Sequence, residues 1–74
     1  MDTTLLVHDN TGDPVEKRIK RAAARFEQRN GQRPDVCHVN PIHLDEGTIV
    51  PGIDVIADSY IRPDRFLVGV KHTV

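Results

Sequence analysis

Residues 13–34 read DPVEKRIKRAAARFEQRNGQRP, and this segment constrains the fold more than any other. Asp13 suits a helix N-cap, Pro14 suits the first helical position, and Glu16 stands three residues after the cap. Together they make a capping box with Asp in the Ser/Thr role. Val15, Ile19, Ala22, Ala23 and Phe26 recur at helical spacing and define one apolar stripe. Gly31 after Asn30 signals a C-cap, and Pro34 forbids continuation. The spacing predicts one helix over about 14–30. With 74 residues in all, a chain of this size buries only about 60% of the surface it exposes when unfolded. That leaves little room for an enclosed active site or a second lobe.

The flanking segments read as short strands. Thr3 to His8 holds the run Leu5-Leu6-Val7 before the turn-rich Asp9-Asn10-Thr11-Gly12-Asp13, and predicts a strand buried on both faces. Val36 to Val39 is a second strand. Residues 40–52, NPIHLDEGTIVPG, form a long connection. Ile53 to Ala57 alternates as a half-buried strand does, with apolar residues at 53, 55 and 57. A loop over Asp58 to Asp64 leads to a last strand, Arg65 to His72, with Phe66, Val68 and Val70 on one face. The order β-α-β-β-β predicts a two-layer α+β domain over residues 1–74, one helix on a three- or four-stranded mixed sheet. The first two strands form a right-handed parallel crossover about the helix. One helix covers one sheet face. The other face, with Ile56 and Leu67, needs cover, and homo-oligomerisation supplies it.

Composition removes several classes. Apolar residues are 38% and charged residues 28%, which fits a folded chain rather than a disordered one. The longest apolar runs are about three residues against the roughly 20 of a bilayer span. The N-terminus MDTTLLVHDN has no basic region, so no signal peptide is expected. The single Cys37 excludes an internal disulfide framework and paired CxxC zinc modules, and points to a cytoplasmic protein. Net charge is −1 but segregated: residues 15–33 hold seven basic against two acidic residues, and the remainder three against nine.

Two constellations carry chemistry. Arg18, Arg21, Arg25 and Arg29 stand at i, i+3, i+7 and i+11, on one flank of the helix. Their like-charged i,i+4 pairs are unfavourable, so they need acidic partners from elsewhere. Glu16 and Lys20 make a favourable pair on the opposite flank. The stripe suits phosphate, as in nucleic acid, or the domain's own acidic loops. Only Phe26, Tyr60 and Phe66 are available for base stacking, and Phe26 belongs to the core stripe. The second constellation is His8, Asp9, His38, Asn40, His43, Asp45, Glu46 and His72. If the first two strands are parallel neighbours, His8 and His38 approach one edge of the sheet. His43 and Asp45 follow in the long loop, and these four suit Zn, Ni or Fe. Cys37 and His38 point to opposite faces of a strand and cannot share an ion. Cys37 reads as small core filler, not as a nucleophile. No nucleophile–base–orienter set can be assembled, and no Gly-rich phosphate loop is present, so neither an enzyme nor a bound cofactor is expected.

The stretch Pro51 to Gly69, PGIDVIADSYIRPDRFLVG, resembles the strand–loop–strand near the end of the axial domain in tailed-phage major capsid proteins, where a Pro turn leads into Phe-Leu-Val-Gly. Arg25-Phe26 to Asn40-Pro41 is similar to the helix–strand of the same domain that ends in Asn-Pro. The two stretches cover about half the chain. The resemblance implies a like local α/β layout and a mobile-element origin. The chain lacks the long spine helix and extended loop of a capsid protein, and the resemblance transfers no catalytic or binding residue.

The favoured reading is a cytoplasmic, non-enzymatic interaction protein that self-associates. The arginine stripe meets acidic loops such as Asp9–Asp13 or Asp45–Glu46 on a second copy or a protein partner. The alternatives are a nucleic-acid-binding accessory protein using the stripe, and a small metal- or ligand-binding module at His8, His38, His43 and Asp45. No membrane partner is expected.

Overall fold

The computed structural model describes residues 4–44 and 49–70. It contains strand β1 (Thr4–His8), helix α1 (Val15–Asn30) and strand β2 (Val36–Val39). A short 3-10 turn over Pro41–Leu44 follows, then β3 (Asp54–Ala57) and β4 (Arg65–Gly69). The architecture is the expected α+β, one helix packed on a four-stranded mixed sheet. No helix among the described residues is long and apolar enough to cross a membrane.

The strand order is β1-β4-β2-β3. β4 runs antiparallel to both β1 and β2, while β2 and β3 pair in parallel. β1 and β2 are therefore parallel to one another, but β4 lies between them. The condition that they be neighbours, on which His8 and His38 would share an edge, is not met. The α1 crossover spans a gap one strand wide, and β4 takes that inner place because its alternation carries two fully buried side chains. Phe66 and Val68 of β4 fill it, and both are fully buried.

Helix α1 ends as expected. Gly31 takes a left-handed φ of 66°, open to glycine at little cost, and its N–H donates to the Glu27 carbonyl at 2.8 Å. Its start differs. Pro14 is the cap residue (φ −52°, ψ 144°), its carbonyl accepts from Lys17 and Arg18, and no side chain caps the helix. The capping box does not form because the Asp13 carboxylate turns to Arg21 instead. The Glu16–Lys20 pair does not close either, since no ion pair joins them among the described residues.

Val15, Ile19, Ala22 and Phe26 bury one face of α1 against Val7, Cys37, Val39, Phe66 and Val68. Fully burying a side chain such as Phe26 or Ile19 contributes roughly 1.5–3 kcal/mol. Leu5, Ile53, Val55 and Val70 pack at the margin of this core. β1 is an edge strand buried on one face only, with Leu6 53% exposed, which corrects the expectation of burial on both. Asp45, Glu46 and His72 lie outside the described residues.

Candidate interaction surfaces

The arginine stripe divides into two halves. Asp9 closes β1 and is only 7% exposed. Its Oδ1 accepts from the Thr11 amide at 3.1 Å and the Thr11 hydroxyl at 2.8 Å, the turn that an Asx-x-Thr sequence favours. Arg21 reaches over this turn. It lies 3.4 Å from Asp9 Oδ2 and donates a hydrogen bond to Asp13. Arg18 Nε donates to the Asp13 carbonyl at 2.8 Å. Burial pushes the Asp9 carboxyl up, but the Thr11 donors and the two guanidinium groups outweigh it and hold it below its ordinary value. The hydrogen bond from Arg21 does the same for Asp13, and Arg21 is raised in turn. Arg18 and Arg21 thus pair within the domain. Arg25 and Arg29 have no acidic partner among the described residues.

These two arginines line an open groove of about 710 Å³. Its floor is the outer edge of β1, from Leu5 to His8, and its wall is α1 at Arg25, Gln28 and Arg29. Arg25 also lines a smaller hollow of about 210 Å³ at the end of β1, beside Asn10, Thr11 and Arg21.

The three described histidines do not converge. His8 Nε2 donates to Asp64 Oδ2 at 3.0 Å, and Arg65 reaches the same oxygen at 3.0 Å. Burial raises the Asp64 carboxyl, yet Arg65 and His8 leave it lowered. His38 Nδ1 bonds Asp58 Oδ2 at 3.2 Å. His43 Nε2 donates to the Pro63 carbonyl at 2.6 Å, and its ring stacks on Phe66 with centroids 5.5 Å apart. Each of these three imidazoles has its own partner, and no group of three His, Cys, Asp or Glu among the described residues is placed to hold a metal. Asp45, the proposed fourth ligand, lies outside those residues. His38 points away from α1, as the alternation against buried Cys37 requires. Burial pushes the Cys37 thiol up to about 12, which suits a core filler.

The sheet face opposite α1 carries an unbroken row across all four strands. The register sets Leu6 beside Leu67, Leu67 beside His38, and His38 beside Ile56. Leu6 is 53% and Ile56 37% exposed. The next row holds His8 and Arg65 at the β1–β4 corner, with Asp58 bonded to His38 on the β3 side.

No family model, curated protein or solved structure matches this chain.

Sequence reasoning found the stripe but not its division, although the Asp9-Asn10-Thr11 turn signals a buried carboxylate awaiting a cation. It also missed the β1 edge, because strand order decides which strand is outermost and no local pattern encodes that order.

Proposed function

We propose that this chain is a non-enzymatic interaction module that self-associates through the open face of its sheet. The observation that carries the reading is the continuous row Leu6–Leu67–His38–Ile56, uncovered by α1. The symmetry of the row supports a second copy as the cover. A two-fold axis along the strands sets β1 of one copy over β3 of the other. Leu6 then meets Ile56 at both ends of the row, and Leu67 meets His38 between them. Such an isologous arrangement covers the row on both copies at once. A cytoplasmic setting belongs to the same reading, since the single Cys37 is buried and free.

The face sets the strength of association. Strands about 4.8 Å apart, rising about 3.3 Å per residue, make a four-stranded face of roughly 19 by 17 Å. That is well under the ~800 Å² per partner of a standard interface, so the dimer is weak and concentration-dependent. Sedimentation velocity over a concentration series tests this. The wild type is expected to gain mass with concentration, while Ile56→Asp stays monomeric with unchanged circular dichroism. A wild type that remains monomeric throughout, or an Ile56→Asp variant that associates equally, defeats the reading.

A further inference from the structure

We propose that the groove between β1 and α1 binds an extended acidic segment of a partner protein as a fifth strand of the sheet. This site lies at the sheet edge next to the open face and does not depend on that face being covered.

The first argument is the backbone of β1. The Asp9 amide donates to the Asp64 carbonyl at 2.9 Å, so that opposed pair is hydrogen-bonded. Antiparallel pairs alternate, so Val7–Phe66 and Leu5–Val68 share that phase. Thr4, Leu6 and His8 then turn their N–H and C=O groups outward. β1 is the last strand of the sheet, and nothing among the described residues pairs with its outer edge. Natural edges are usually blunted by lysine, proline or a bulge. The sequence Thr-Leu-Leu-Val-His has neither lysine nor proline, and its five residues pair in unbroken register.

The second argument is charge. Arg25 and Arg29 are a like-charged i,i+4 pair, unfavourable by about 0.2–0.5 kcal/mol in a helix, and no acid of the described residues relieves them. Four residues of helix rise about 6 Å. Two residues of strand rise about 6.6 Å. Carboxylates at i and i+2 of an added strand therefore match the two guanidinium groups in spacing. They also lie on one side of that strand, the side facing α1.

The pattern of the ligand follows. Residues facing α1 are acidic and lie beside Leu5 and Val7, whose side chains are on that face. The intervening residues sit beside exposed Leu6 and are apolar. A second copy of β1 meets this edge less well, because its own α1-side residues, Leu5 and Val7, bring no carboxylate to Arg25 and Arg29.

The probe is a fluorescein-labelled octapeptide of alternating glutamate and valine, titrated with the full chain and read by anisotropy. Arg25→Glu/Arg29→Glu is expected to weaken binding about tenfold or more. N-methylation of the peptide at residues whose N–H faces β1 is expected to abolish it, with no change to the protein. A lysine–valine octapeptide is expected not to bind. Amide shifts in the protein are expected at residues 4–8 and 25–29. Equal binding of the N-methylated or lysine peptide overturns strand addition. Binding of a single-stranded DNA oligonucleotide in place of the acidic peptide assigns the arginines to phosphate and overturns it too. So does a β1 edge whose amides are already protected by a second copy.

Discussion

Asp9 shows how a carboxylate survives almost out of water. It has two donors from Thr11 and a guanidinium 3.4 Å away, and its place at the end of β1 ties the strand to the turn before α1. Replacing it with alanine leaves the Thr11 amide and one side of Arg21 unsatisfied. Asp9→Ala is expected to lower stability by about 1–3 kcal/mol in urea unfolding. The pH dependence has a definite sign. Asp9, Asp13 and Asp64 all lie below their ordinary value of 3.8 in the folded state. Above that value both folded and unfolded forms are ionised, and the stabilisation is fully present. As pH falls below it the unfolded chain takes up protons first, and stability is lost until the folded carboxyls protonate as well. The melting temperature is expected to fall as pH drops below about 4, and less steeply in Asp9→Asn. A flat profile down to the acid limit contradicts this assignment of the three carboxylates.

At the scale of elements, α1 combines structural and recognition residues on adjacent flanks. Arg21 is fixed by Asp9 and Asp13, whereas no acid of the described residues relieves the repulsion between Arg25 and Arg29. Arg25→Glu turns both i,i+4 contacts, to Arg21 and to Arg29, from like to opposite charge. The variant is expected to be more stable by a few tenths of a kcal/mol up to about 1 kcal/mol in thermal melts, while losing affinity for an acidic peptide. A stability loss instead would mean that Arg25 has a structural partner. The same helix shows what the sequence encodes. Its body and C-terminus were legible because the period of Val15, Ile19, Ala22 and Phe26 and the left-handed turn at Gly31 are local properties. Its N-cap was not, because Asp13 answers to Arg21 eight residues on. The alternation in β4 gave the correct buried face, with Phe66 and Val68 inside. It carried no information on neighbours, since a strand's pattern selects a face and not a partner. For that reason the open face with Ile56 and Leu67 was readable and the exposed edge of β1 was not.

The whole molecule can be interrogated through its one thiol. Cys37 lies on β2, an inner strand, is fully buried against the helix-side core, and has its thiol pushed up to about 12 by burial. The thiolate is the reacting species, so native Cys37 should be nearly inert to a disulfide reagent at neutral pH. Reaction then requires the helix to leave the sheet. A domain this small has only about 3–5 kcal/mol of stability from a single core. The corresponding open fraction slows labelling by roughly 10²–10⁴ relative to a denatured control. A ligand that binds only the folded form lowers that fraction further. If strand addition at β1 is coupled to the core, the glutamate–valine peptide at about a hundred times its Kd should slow labelling about a hundredfold. The coupling is expected because Leu5 and Val7 of β1 contact the same core as Cys37. Labelling that ignores bound peptide would mean that β2 opens while β1, α1 and the groove remain closed. Such a result would divide the 74 residues into two unfolding units. A full hundredfold effect would make the groove, the helix and the sheet one cooperative body.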